Sequence, residues 1–240
     1  MSEILLLRHG QASFGSENYD ALSELGLRQA RRLGSYLLNA GYRLDGLYSG
    51  TLQRQRQTAA EVIQSYSDAG VQLAPPQEDP GFNEMDSEGQ IRLFAPQLAQ
   101  VDARVAQLLD NAHSDKKAFQ KLLKIVFNQW LDGAVVDNRL ETWPRFKAQV
   151  LRALAAVRQA QGGGTTSAVF TSGGVIAALV AHVLAMPDTS VYSVYEPIVN
   201  CSITRLLFSS ERMSLSSYNE FSYLQGSGSE SPEPDIISYR

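Results

Sequence analysis

"ILLLRHGQAS", residues 4–13, runs four aliphatic side chains straight into an arginine, a histidine and a glycine. An unbroken apolar run of this kind suits a strand in a parallel sheet covered by helices, where neither face is wet. Arg8 and His9 then stand at the strand's carboxyl end, and Gly10 frees the backbone to turn there. Ligands of α/β sheets bind beyond the carboxyl ends of strands, so this run delivers two basic side chains to a ligand edge.

Strand and helix signals alternate outward from that run. Leu27, Ala30, Leu33 and Leu37 fall at helical spacing and Gly41 closes the helix. Residues 44–49 read as a strand, 52–66 as a second helix, and 71–74 as another short strand stopped by Pro75-Pro76. Residues 78–90 form an acidic loop. From 88 to 131 the pattern is helical without a strand signal, with Phe119, Leu122, Leu123, Val126, Phe127 and Trp130 as one apolar stripe. This stretch is expected to be an inserted helical cap of about residues 85–140. Lys117, Lys121 and Lys124 lie opposite the stripe, a solvated face that would steer an anion if it steers anything. Alternation resumes with a helix carrying Phe146, Val150, Ala153, Leu154 and Val157 and closed by Gly162-Gly163-Gly164. A strand at 167–171, a helix at 175–184 and late strands at 202–208 and 213–218 follow. The expected fold is α/β, a three-layer sandwich with a mostly parallel central sheet and an inserted helical cap, one domain over residues 1–224. The polar tail at 225–240, rich in Ser, Gly and Pro, is expected to be mobile.

Composition narrows the function classes. With 21 basic against 25 acidic residues the formal charge is −4, which argues against a nucleic-acid partner. One cysteine, Cys201, excludes an internal disulfide. The N-terminus lacks the pattern of a signal peptide, and the longest apolar run, 175–186, is too short to span a membrane and contains His182. A cytoplasmic protein, with no membrane partner, is the expectation. The histidines His9, His113 and His182 lack ligand spacing, so neither a metal site nor a cofactor is expected. His113 reads as a surface residue and His182 as structural. A homo-oligomer stays open.

Three glycine-bearing stretches sit at predicted strand ends: Arg8-His9-Gly10, Ser49-Gly50 and Thr171-Ser172-Gly173-Gly174. Histidine beside arginine at such an end suits phosphoryl transfer. A neutral imidazole is a competent nucleophile, and the arginine fork matches the charged phosphoryl oxygens. Taken alone, His9 reads more readily as a capping or core histidine than as a catalytic one, Arg54 and Arg56 are equal candidates for a second cation, and Glu84 has a place in a solvated acidic loop as its alternative reading.

The chain resembles the histidine phosphatase superfamily, the phosphoglycerate-mutase-like family. The likeness rests on "LLLRHGQA", "DALSELGLRQA" from Asp20, "YSGTLQRQRQTA" from Tyr48, "GFNEMD" from Gly81 and "VFTSGGVIAAL" from Val169, in the family's order. "NCSITRL" from Asn200 and "SSYNEFSYL" from Ser216 match more weakly. The resemblance implies that His9 attacks phosphorus, that Arg8 and Arg54 clamp the phosphate, and that Glu84 protonates the leaving oxygen. It implies a small anionic phosphorylated substrate, or inorganic phosphate, as the partner.

Two departures from the family pattern matter. Ser172 stands where the family has a second histidine before Gly-Gly, and Phe14-Gly15 stands where its mutases often have Trp-Asn. Ser172 keeps a hydrogen-bond donor but not a positive charge. It also suits a helix N-cap. With Gly173 it is assigned to phosphate binding, the amides at the helix start adding to an anion site. Losing one such donor costs about 3 kcal/mol, or roughly 10²–10³ in rate. The expected function is a metal-independent phosphatase acting through phosphohistidine. The alternative is a phospho-ligand-binding pseudo-enzyme. A mutase ranks lower, since Met85-Asp86-Ser87 replaces the mutases' Arg-His-Tyr-Gly-like stretch, and a protein phosphohistidine phosphatase ranks lower too. A serine hydrolase ranks lowest, since the Gly-x-Ser-x-Gly elbow is absent at Ser172.

Overall fold

A computed structural model describes residues 1–13, 20–112, 114–134, 137–225 and 236–239. Six strands form one sheet in the order β3-β2-β4-β1-β5-β6, where β1 is Ser2–Arg8, β2 Gly46–Ser49, β3 Gln77–Glu78, β4 Thr166–Thr171, β5 Ile203–Phe208 and β6 Met213–Glu220. The β3–β2, β2–β4 and β4–β1 pairings are parallel, and β5 runs antiparallel to both β1 and β6. The sheet is therefore mixed, with β5 alone reversed.

The opening run is the hinge of the sandwich. Ile4 to Leu7 are fully buried, and strand alternation sends Ile4 and Leu6 into one core and Leu5 and Leu7 into the other. The Leu5–Leu7 side is covered by α1 (Glu24–Asn39), through Ala30, Leu33 and Leu37, and by α2 (Gln53–Asp68), through Ala59, Val62 and Tyr66. The opposite face carries α6 (Trp143–Ala160), α7 (Gly173–Val183) and α8 (Val191–Tyr195). Burying each such aliphatic side chain contributes roughly 1.5–3 kcal/mol, so four in a row make β1 the element both layers assemble on.

The cap is three helices, α3 (Ser87–Ala99), α4 (Ala103–Asn111) and α5 (Lys116–Leu131). Its apolar stripe joins the α6–α8 core. Phe127 stacks on Tyr195 with ring centroids 5.1 Å apart, and Trp130 meets Trp143 edge-on at 5.4 Å. Lys117, Lys121 and Lys124 are exposed, as the spacing predicts.

Two local expectations are corrected. Residues 71–74 are not a strand; β3 begins at Gln77, after the two prolines. Proline lacks the N–H that a ladder needs, so pairing with Tyr48 and Ser49 starts only beyond Pro76. Within the tail, residues 236–239 pack back on the body. Ile236 is buried in the α1–α2 core, and its carbonyl accepts from Gln29 Nε2 at 2.7 Å. Residues 226–235 lie outside the described ones.

Candidate active site

The end of β1 pins His9 from two sides. Its backbone N–H donates to the Thr171 carbonyl of β4 at 2.9 Å, and its carbonyl accepts from Asn200 Nδ2 at 3.1 Å and Cys201 N at 3.2 Å. Beyond it, the Gly10 N–H donates to Thr58 Oγ1 on α2 at 3.0 Å. A Cβ on Gly10 would lie 2.5 Å from the Gly26 carbonyl oxygen, so only glycine lets the loop press against the first turn of α1.

These contacts fix the imidazole. Nδ1 lies 2.7 Å from the Gly10 carbonyl, and Nε2 lies 3.1 Å from Arg54 Nε. A carbonyl accepts and a guanidinium donates, so the proton sits on Nδ1 and the lone pair on Nε2 faces the Arg54 guanidinium. Burial, then the charges of Arg54 and Arg8, hold the His9 pKa well below its ordinary value; the Gly10 carbonyl opposes them only in part. These effects favour the neutral ring.

Arg54 is held from its far side by a carboxylate. Its Nη1 meets Asp20 Oδ1 at 2.6 Å, and Asp20 Oδ2 accepts from Gln53 N at 2.7 Å. Leu52 precedes α2 and carries no capping oxygen, so Asp20 satisfies an N-terminal amide of α2 from another part of the chain. Arg56 points elsewhere and pairs with exposed Glu78 at 2.8 Å. The choice between the two arginines thus falls to Arg54.

Glu84 follows a 3-10 turn at Pro80–Phe82 and turns toward α7. Its Oε1 accepts from Gly174 N at 3.0 Å. A Cβ on Gly174 would meet that oxygen at 2.3 Å, so this position admits the carboxylate because it is glycine. The anion site expected at the start of α7 is thereby occupied by the protein's own acid. Burial raises the Glu84 pKa despite the opposing charges of Arg54 and Arg8 and the Gly174 and Met85 amides. A carboxyl that keeps its proton at higher pH is what a general acid needs.

Arg8 is buried, donates to the Ile198 carbonyl, and lies close enough to bias both His9 and Glu84. Ser172 is fully buried and is the N-cap of α7, yet its hydroxyl makes no cap bond; it accepts from Gln55 Nε2 at 2.8 Å. Gly173 begins α7 with Tyr195 against it, 3.1 Å from where a Cβ would be. Arg8, His9, Arg54 and Glu84 come together, and the chain turns of Ser172 and Gly173 border them. The mutase-like positions Phe14 and Gly15, and also His113, lie outside the described residues. His182, read as structural, is exposed in the last turn of α7.

A family model for the histidine phosphatase superfamily (branch 1) matches residues 4–100 and 113–220. The chain belongs to the histidine phosphatase superfamily. No curated protein matches it. Solved structures similar to it include YhfR of Bacillus stearothermophilus, at 20% identity and TM-score 0.66, covering 93% of this chain and 99% of that one. A phosphoserine phosphatase of Entamoeba histolytica, bound to phosphoserine, aligns at 18% identity and TM-score 0.62 over 93% and 100% of the two chains. Phosphoglycerate mutase of Bacillus anthracis aligns at 17% and 0.64 over 92% and 94%. At these identities the likeness is one of fold.

In this superfamily member the polar supports were the least visible part of the site. Asp20 lies in a quoted motif, but nothing in its spacing says that it anchors Arg54. Gln55, Thr58 and Asn200 carry no chemical signal until the fold joins them. A cavity of about 540 Å³ opens at the other end of the sheet, lined by Glu3, Tyr42, Asp45 and Arg205 among others. It contains none of the residues above, and its Arg205 is already paired with Glu3 at 2.7 Å. Among the described residues no cluster of His, Cys, Asp or Glu is placed to hold a metal ion, and no helix is long and apolar enough to cross a membrane.

Proposed function

We propose that this chain hydrolyses a small phosphomonoester through a phosphohistidine on His9, without a metal ion. The observation that carries this is the His9 tautomer: Gly10 holds the proton on Nδ1, and the unprotonated Nε2 meets Arg54, the cation that a phosphoryl group entering there would share. In the first step Nε2 attacks phosphorus, the P–N bond forms, and the ester P–O bond breaks. The leaving oxygen takes the Glu84 proton. In the second step the Glu84 carboxylate takes a proton from water, the water oxygen attacks phosphorus, and the P–N bond breaks to release inorganic phosphate. Arg8 and Arg54 supply the positive charge that the phosphoryl oxygens require, and Ser172 and Gly173 complete the anion site.

A second reading is favoured by Ser172, which replaces an ionisable group with a buried hydroxyl. On that reading the protein binds a phosphorylated ligand without turning it over. Hydrolysis of para-nitrophenyl phosphate by wild type and His9→Ala separates the two. Activity present in wild type and lost in the variant supports the phosphatase. Phosphate binding with no turnover in wild type supports the second reading, and equal turnover in both proteins rejects His9 as nucleophile.

A further inference from the structure

Gln55 stands one residue beyond Arg54 and is fully buried. Its amide is spent on three partners. Oε1 accepts from Leu52 N at 3.2 Å, and Nε2 donates to the Phe82 carbonyl at 2.8 Å and to Ser172 Oγ at 2.8 Å. The first two partners leave no choice of amide orientation, because a backbone N–H can only donate and a carbonyl can only accept. Ser172 Oγ therefore faces an N–H and must accept there.

A serine hydroxyl that accepts at one side still has its own proton to place. The ordinary use of a serine at this position is to cap the helix as an acceptor from an amide in its first turn. Here Ser172 makes no such bond, and the Gly174 amide is given to Glu84. Gln55 thus takes the serine's acceptor role and leaves it a donor. The carbonyl of Thr171, next in the chain, holds the His9 N–H, so the serine sits directly behind the catalytic strand end.

We infer that Gln55 is a positioning residue, which holds the Ser172 hydroxyl as a hydrogen-bond donor to the phosphoryl group on His9. The inference rests on the phosphatase reading above and adds to it. Gln55 touches neither phosphate nor water in this account; it acts only through Ser172. Two buried residues, one on α2 and one at the start of α7, then work together to give a neutral side-chain donor on this side of the site.

The test is a double-mutant cycle on Ser172→Ala and Gln55→Met, read as kcat and KM for para-nitrophenyl phosphate. Each single variant should lose roughly 10–100-fold in kcat/KM, the range of one hydrogen bond to a charged group. The double variant should lose no more than Ser172→Ala alone. Multiplicative losses would overturn the inference, as would wild-type kinetics in Gln55→Met. If Gln55→Met fails to fold, Gln55→Glu decides, since it keeps the Leu52 acceptor and the shape. A carboxylate there draws the serine proton to itself, so activity should fall and return as pH is lowered; a pH profile of wild-type shape and height would overturn the inference. If wild type proves inactive, the phosphatase reading fails by itself. The same cycle is then read as the Kd for inorganic phosphate, with the same coupling expected and independence overturning the pairing.

Discussion

On the α2 side of His9 a cation is held by an anion: Arg54 reaches the imidazole at 3.1 Å while Asp20 grips its other end at 2.6 Å. On the α7 side a carboxyl group is held by backbone amides, beside a pair of neutral side chains. Glu84 rests on the Gly174 amide at 3.0 Å, and Ser172 is tied to Gln55. The difference shows in the pKa directions. Burial, aided by the two arginine charges, pushes the His9 proton off, and burial keeps the Glu84 proton on. An ordinary imidazole loses its proton at higher pH than an ordinary carboxyl does. A neutral histidine and a protonated glutamate would then hardly coexist. The shifts on the two sides move in opposite senses, one toward the neutral ring and the other toward the protonated carboxyl.

The largest expected effect lies on the α7 side. Glu84→Gln keeps an acceptor for Gly174 but has no proton to give. A fall of roughly 10²–10⁴ in kcat is expected for an unactivated leaving group, with KM nearly unchanged. The loss should be much smaller for para-nitrophenyl phosphate, whose leaving oxygen needs little protonation. Equal losses on both substrates would mean that Glu84 is not the acid. Gly174→Ala leaves every functional side chain in place but puts a Cβ 2.3 Å from Glu84 Oε1. Displacing the acid by a fraction of an ångström to an ångström should cost about 10²-fold in kcat. Wild-type activity in that variant would break the claim that this glycine seats the carboxylate.

The two sides also differ in how far the residues alone reveal them. Arg8 and His9 end a buried strand, so their arrival at the sheet edge follows from the pattern, whereas Arg54 lies on a helix where only the family spacing picks it over Arg56. Glu84 comes from an irregular acidic loop, where nothing distinguishes it from Glu78 or Asp86 except the family spacing. The fold shows the distinction: Glu78 pairs with Arg56 on the surface, Asp86 caps α3, and Glu84 alone of the three turns onto α7. Ser172 was read correctly as the start of a helix, but its tie to Gln55 spans 117 positions of sequence and no local rule reports it. The strand at 71–74 failed for a different reason. Its apolar residues suit a strand, but the register with β2 is set by where the prolines end.

Arg54→Ala sharpens the comparison through pH. The Arg54 charge lowers both the His9 and the Glu84 pKa. In the proposed mechanism neutral His9 is the active form, so activity should fall as pH drops through its pKa, and protonated Glu84 is the active form, so activity should fall as pH rises through its pKa. Removing Arg54 raises both, and both limbs of the kcat/KM profile should move to higher pH, with the peak lower by roughly 10²-fold for the lost phosphate contact. A profile that drops without moving would mean that Arg54 binds phosphate but does not tune the pair.

The smallest effect tests whether the anchor on the α2 side is electrostatic or only steric. The Asp20 side chain is 37% exposed, and Arg54 is 13% exposed. Water screens such a pair, so its charge contributes about 0.2–1 kcal/mol, at most about fivefold in kcat/KM. Asp20→Asn removes the charge and keeps one oxygen, which can serve the Gln53 amide or Arg54 but not both, since its NH2 group only donates. A loss of about twofold to fivefold that shrinks as salt is added is expected, because salt already weakens the wild-type pair. A loss independent of salt would instead mean that Asp20 acts by shape, through its seat on the first turn of α2. Both halves of the site would then be held by hydrogen-bond geometry, and the contrast between them would reduce to the charge of the side chain each presents.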